Sequence, residues 1–344
     1  MNILILGGTR FLGPHLIDGG LARGHDITVF NRGRLSADAD PAVEVVIGDR
    51  HRDLDKLSGR RWDAVIDNCG YLPRSIELSG KALADSVGVY VFISSVSAYA
   101  NFRDRNMDET APLARLTPEH ATRAEAIDLT GDITAPVLGE MYGALKAACE
   151  ETIERMVPGR VLIVRPGLIA GPLDHTDRFT YWVMRTADGG EVLAPGDPSQ
   201  FVQFIDVRDV AEFIVDSIEK SATGVFQVDG NPYTTTMGSM LDTVKRITSS
   251  DAEFTWVDEQ FIEQEEIQPW NELPVYLPAS DEDAQGFMTK KIDSALAAGL
   301  SLRPLDETVR ETYAWRKQRN DPLRAGLTRD REANLLKKWH ELSQ

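Results

Sequence analysis

Cysteine is nearly absent from this chain: two residues, Cys69 and Cys149, stand among 344. That excludes a disulfide framework and fits a reducing compartment. Long apolar runs are missing too, and no basic stretch with a short hydrophobic segment opens the chain. A soluble, cytoplasmic protein with no membrane partner is therefore expected. Positive charge is scarce, with 37 Lys and Arg against 54 Asp and Glu, a net charge of −17 and a pI near 4.8. Such a field repels phosphate backbones, so nucleic acid is not an expected partner. The six histidines show no zinc-type spacing, and no metal is expected. Internal repeats and low-complexity tracts are lacking as well.

What the chain does have is a regular alternation of apolar runs and helical patterns. Strands are predicted at Asn2–Leu6, Ile27–Phe30, Val43–Ile47, Ala64–Asp67, Tyr90–Ser94 and Arg160–Arg165, with a helix at Pro14–Arg23. Unbroken Val/Ile/Leu strands imply burial on both faces, as in a parallel sheet. Helices between them make a doubly wound α/β fold. Residues 101–140, polar and with three prolines, interrupt the rhythm and read either as a solvated excursion or as a lid. After Pro166 the texture becomes mixed. A strand and helix return at Phe204–Glu219, a short strand at Phe226–Val228, and a charged helical stretch from Asp321.

The first turn of this pattern reads GGTRFLG, residues 7–13, between a strand and a helix. Gly7 and Gly8 permit a tight turn, and Gly13 permits close packing of the helix. Thr9, Arg10, Phe11 and Leu12 then lie along a helix N-terminus, whose N–H groups and dipole suit a dinucleotide pyrophosphate. The second strand ends Phe30-Asn31-Arg32-Gly33-Arg34, without the carboxylate that holds an NAD ribose. Arg10, Arg32 and, less firmly, Arg34 form a candidate clamp on the extra phosphate of NADP, with NAD as the alternative. Asp49 and Arg50 follow the third strand, where Asp49 is either an adenine acceptor or a local cap. Cys69 and Gly70 follow the fourth; Gly70 offers the cofactor close approach, and Cys69 reads as a small hydrophobe.

The fifth strand ends in Ser94 and Ser95, at the edge where open α/β sheets bind ligands. Downstream, Tyr142 and Lys146 are spaced i, i+4, on one face of a helix. A neighbouring ammonium stabilises phenolate and turns tyrosine into a usable general acid/base, with Ser95 orienting the substrate oxygen.

Together GGTRFLG, FISSVSAY and YGALK resemble the short-chain dehydrogenase/reductase superfamily, in its extended or atypical epimerase/dehydratase-like branch. The resemblance implies a Rossmann-type doubly wound parallel sheet with a smaller, mixed C-terminal substrate-binding domain. The corresponding boundaries are 1–165 plus about 204–225 for the NAD(P)-binding part, 166–203 and 226–320 for the substrate part, and 321–344 for a helical tail. It implies Ser95, Tyr142 and Lys146 as the catalytic set, Lys146 also on the nicotinamide ribose, and Pro166 and Ile169 beside the nicotinamide. It also implies a homodimer through the Tyr142–Met156 helix, whose outward face offers Ala147 and Ile153. Three departures stand out: Arg10 replaces a glycine, the Ser95-to-Tyr142 gap is long, and Phe201-Val202-Gln203-Phe204 lacks the arginine that nucleotide-sugar enzymes use for a diphosphate. The expected function is hydride transfer between NAD(P) and a carbonyl or hydroxyl of a small metabolite. The alternative is an epimerase or dehydratase on a sugar or sugar-like substrate, with Glu140 a candidate extra acid/base. GGTRFLG with FNRGR also resembles chloroplast stem-loop RNA-binding relatives, so a non-catalytic RNA-binding or redox-sensing protein is a third reading.

Overall fold

The structure is a computed structural model that describes residues 1–33 and 40–342. In chain order its strands are β1 (Asn2–Leu6), β2 (Asp26–Asn31), β3 (Glu44–Ile47), β4 (Trp62–Asp67), β5 (Val87–Ile93) and β6 (Val161–Pro166). They continue with β7 (Ile169–Ala170), β8 (Glu191–Pro195), β9 (Ile205–Asp206), β10 (Gly224–Val228) and β11 (Glu253–Val257). The helices are α1 (Leu12–Ala22), α2 (Pro73–Leu83), α3 (Pro118–Glu125), α4 (Ala135–Leu138), α5 (Tyr142–Met156) and α6 (Arg178–Ala187). After them come α7 (Val207–Glu219), α8 (Met237–Thr248), α9 (Glu259–Gln264), α10 (Asp293–Ala298), α11 (Leu305–Arg316) and α12 (Arg329–Leu342). None of the described helices is long and apolar enough to cross a membrane.

Seven strands form one Rossmann-type sheet in the order β10-β6-β5-β4-β1-β2-β3, every pair parallel. The chain winds outward from β1 to β3, then returns to β4 and winds the other way. That reversal opens a crevice at the carboxyl ends of β1 and β4. Both faces of the sheet are covered, which is why its strands are continuously apolar. Leu16 of α1 and Val210 and Ile214 of α7 pack on one face, Ile76 and Leu83 of α2 and Ile153 of α5 on the other. β4 and β5 begin earlier than their apolar runs, because the ladder continues past exposed Asp63 and Gly88, Trp62 lying opposite Val87.

A separate core gathers Phe179 and Trp182 of α6, Leu241 of α8, Val309 of α11 and Leu336 of α12 against the β8–β11 pair. The C-terminal stretch expected as a tail is therefore part of this core, and the buried Arg185–Glu332 ion pair ties α12 to α6. Ile292, Ala295 and Leu300 instead pack on the α1/α7 side of the main sheet. The helix face expected to offer Ala147 and Ile153 to a second copy is turned inward: both are buried, Ile153 against the strands. Residues 101–140 are folded. Ala124 of α3 and Leu138 of α4 pack on Leu72 and Leu145, and Arg74 donates to the carbonyls of Ala124, Glu125 and Ile127 at the end of α3.

Candidate active site

A cleft of about 950 Å³ runs across the carboxyl edge of the sheet from the glycine loop to residues 270–271 and 324. Gly7 and Gly8 adopt φ of +94° and +76°, which only glycine takes without strain, and the Gly7 N–H donates to the Phe30 carbonyl at 2.9 Å. A Cβ on Gly13 would lie 2.4 Å from the Gly8 carbonyl carbon, so the helix reaches the loop only because residue 13 is glycine. Phe11 holds a strained φ of 44°, and no side chain caps the amides that α1 presents to the cleft. Thr9, Arg10 and Leu12 line the same wall.

At the β2 end, Asn31 Oδ1 accepts the Gly33 N–H at 2.7 Å, while its Nδ2 is buried without a partner. An orphaned donor at this place fits a ribose hydroxyl. Arg32 forms an ion pair with Asp132 and donates to the Gly131 carbonyl at 3.2 Å. Arg10 lines the same cleft, and its charge acts on Tyr71 and His175. Arg34 lies outside the described residues. The flap closes this end, with Leu129, Gly131–Pro136 and Gly139 lining the cleft.

Several expected cofactor contacts are engaged otherwise. Asp49 lines the cleft while accepting the His51 N–H at 2.9 Å, the local cap. Arg50 is sunk beneath the cleft floor, with both terminal nitrogens on Asp67 at 2.7 and 2.8 Å and a third contact to Cys69 Sγ at 3.2 Å. Burying a guanidinium needs such a carboxylate, and the pair consumes its forked geometry. Cys69 lines the cleft, and burial raises its thiol pKa, which disfavours the thiolate. Packing also restricts Gly70: a Cβ there would lie 2.6 Å from Ile76 and 2.7 Å from Phe92.

Ser95 follows β5, and Tyr142 opens α5 with Lys146 one turn on; all three line the cleft. Burial pushes the Tyr142 phenol above its ordinary value, and neighbouring Ser95 pulls it partly back. Lys146, expected to lower it directly, is absent from the groups acting on Tyr142. Its ammonium donates to the carbonyls of Gly70 at 2.8 Å and Ile93 at 2.7 Å and lies over the rings of Tyr71 and Phe92. Ser94 turns away, its hydroxyl donating to Glu150, which also receives Arg165 at 2.6 Å. This buried network fixes the base of α5 against β6. Pro166 and Ile169 line the cleft beyond it. Glu140 is exposed and bound to Arg123 at 2.7 Å. Gln203, in the stretch without the diphosphate arginine, is buried and donates to the carbonyls of Gly230 and Lys290, both at 2.8 Å.

Other lining residues carried no motif: Asn68, Tyr71, His175, Arg178, Asn271 and Arg324. Trp270 of the aromatic C-terminal half lines the cleft, whereas Phe179, Tyr181, Trp182 and Tyr276 are core and Trp256 lies in a separate cavity of about 710 Å³.

The comparisons with known proteins agree with this architecture. The profile of the NAD dependent epimerase/dehydratase family matches residues 3–228. Among solved structures, UDP-glucuronic acid 4-epimerase from Bacillus cereus, in complex with NAD, superposes with a TM-score of 0.65 at 15% identity, covering 92% of this chain and 99% of that one. UDP-N-acetylglucosamine 4-epimerase from Methanobrevibacter ruminantium M1, with UDP-N-acetylmuramic acid, gives 0.65 at 18% identity, with coverages of 92% and 98%. At these identities the likeness shows the fold. A curated relative, the chloroplast stem-loop binding protein of 41 kDa b of Arabidopsis thaliana, is 24% identical over 260 residues, 68% of this chain and 60% of that protein. The family match favours the epimerase/dehydratase alternative over net oxidoreduction of a small metabolite, and it supports NAD(P) without singling out NADP. The chain belongs to the NAD-dependent epimerase/dehydratase family of enzymes.

Proposed function

We propose that this protein is an NAD-dependent epimerase of a sugar or sugar-like substrate, with Tyr142 as general acid/base, Ser95 orienting the substrate oxygen and Lys146 holding the nicotinamide ribose. The observation that carries the reading is that Ser95, Tyr142 and Lys146 all line one cleft headed by the glycine loop. NAD, when bound, would supply reversible hydride acceptance at the substrate carbon. Tyr142 would take the proton of the substrate hydroxyl and later return it, so that none is gained or lost over a turnover. Lys146 has two N–H groups on backbone carbonyls, and its third is available for a ribose hydroxyl, through which its charge reaches the phenol. Gly7, Gly8, Gly13 and the first turn of α1 would hold the pyrophosphate, and Asn31 the adenosine ribose.

Epimerisation is preferred to dehydration because the carboxylates lining the cleft among the described residues, Asp49 and Asp132, both stand at the β2–β3 end. Glu140, the candidate second acid/base, is held outside by Arg123. NAD is preferred to NADP because Asp132 occupies Arg32, so the end of β2 already has a carboxylate, supplied from the flap. The two solved neighbours, one in complex with NAD and both named for UDP-sugars, support the same class. The stem-loop binding for which the Arabidopsis relative is named sits poorly with a net charge of −17.

The test is the protein as purified. Tightly held NAD is expected on release by denaturation. Incubation with a panel of sugar phosphates and UDP-sugars, followed by NMR, should show interconversion of epimers without accumulation of NADH. Accumulating NADH in step with product would restore net oxidoreduction, and turnover retained by Tyr142→Phe would remove this mechanism.

A further inference from the structure

The wall of the cleft formed by residues 175–178, 270–271 and 324 has its own chemistry. Arg178, half-buried at the start of α6, lays its guanidinium 5.3 Å over the Trp270 ring. Among the described residues no carboxylate comes within ion-pair distance of it. The fully buried arginines behave differently: Arg50 is paired with Asp67, Arg165 with Glu150, Arg185 with Glu332, and Arg316 with Asp321. Nearby Asp174 spends one oxygen on Thr176 and keeps the other buried without a partner, and burial raises its pKa to about 6. Asp177 is used by the backbone N–H of Arg324 at 3.0 Å, which brings that second arginine to the same wall. His175 lies against Phe11 of the glycine loop, with ring centroids 6.0 Å apart. Burial, then the charges of Arg10, Arg324 and Arg178, keep its imidazole neutral at lower pH than usual. In a chain of net charge −17, the half-buried Arg178 and the exposed Arg324 both line this cleft, and among the described residues neither has an ion pair. A half-buried guanidinium that lacks a carboxylate calls for an anion from outside.

We infer that Arg178 and Arg324, with His175 beside them, form a subsite for an oxyanion of the substrate, a phosphate or a carboxylate, against the Trp270 face. The planar fork of Arg178 suits either group and is pre-set by stacking on the indole. The subsite replaces the arginine missing from Phe201–Phe204. It rests on the epimerase reading only in naming the bound molecule a substrate.

The full-length protein, saturated with NAD so that the pyrophosphate wall is filled, is titrated calorimetrically with glucose 1-phosphate, glucuronic acid and glucose. At least one anionic probe is expected to bind at least tenfold more tightly than glucose, and which one identifies the oxyanion. Arg178→Gln should weaken that probe about 10- to 100-fold and Arg324→Gln by less, while NAD affinity and melting temperature stay near wild type. Arg178→Lys should recover part of the binding. Binding of all three probes alike, binding of none, or an Arg178→Gln protein that binds the anion as wild type does overturns the subsite. Anion binding that depends on Arg178, without interconversion of any sugar, removes the epimerase reading and keeps the subsite. Epimerisation of a neutral sugar untouched by Arg178→Gln does the reverse.

Discussion

Replacing Asp132 by asparagine asks where the choice between NAD and NADP is made. Arg32 and Asp132 pair across the β2 end of the cleft with side-chain exposures of 35% and 44%. A 2′-phosphate that reaches Arg32 must also lie beside the Asp132 carboxylate. Two unit charges 4 Å apart interact by about 1 kcal/mol in water and about 4 kcal/mol at the effective dielectric of a protein surface. Exposure on this scale keeps the penalty near the lower figure, about 1–2 kcal/mol, or about 5- to 30-fold in Kd. Asparagine keeps the shape and one acceptor while removing the charge. Calorimetric titration of wild type and Asp132→Asn with both dinucleotides should therefore show NADP tightening about 5- to 30-fold, with NAD within about twofold. Arg32→Gln should weaken NADP alone. A ratio of the two Kd values unchanged by Asp132→Asn, or a wild type that already prefers NADP, refutes the reasoning.

Tyr142→Phe should lower the rate of epimer interconversion by at least about 100-fold, because general acid/base transfer supplies about that much, with NAD affinity unchanged by calorimetry. Lys146→Met should lower both rate and NAD affinity, since the ribose contact is lost with the charge. Gly13→Ala places a methyl 2.4 Å from the Gly8 backbone; overpacking of this kind costs about 1–3 kcal/mol, read as a lower melting temperature together with weaker NAD binding. Asp174, with its pKa raised to about 6, favours its neutral form, so its contribution to stability falls as pH rises from about 4 through 6. Asp174→Asn should stabilise the protein at pH 8 by about 3 kcal/mol at most, read as a higher melting temperature, and the gain should vanish towards pH 4; an equal gain at both would show that ionisation is not the cause.

What was legible in the sequence, and what was not, follows from the range of the interactions involved. The strands of the main sheet were readable because burial on both faces forces an unbroken apolar composition, and β1 coincides with its apolar run. Gly7, Gly8 and Gly13 were readable because a strand-turn-helix unit is local. Gly70 resembled them, yet its neighbours Ile76 and Phe92 belong to a helix and a strand further along, and packing also restricts it. Long side chains were the hardest to place. Arg10 and Arg32 both follow strands, but Arg32 is paired with Asp132 of the 101–140 excursion, so their joint clamp could not be judged from their own segments. Lys146 has the right spacing to Tyr142, but spacing sets only a shared helix face; the carbonyls of Gly70 and Ile93, on two other connections, decide where its ammonium sits. Arg178 and Arg324 had no motif at all, since they meet only when α6 and the segment before α12 close on one cleft. An ion pair, a stacked guanidinium or an unpaired one is a relation between distant segments, and in this chain those relations carry the specificity while the local patterns carry the fold. A search for function in such sequences is therefore best directed at arginines that the folded chain buries without an acid, a property visible only after folding.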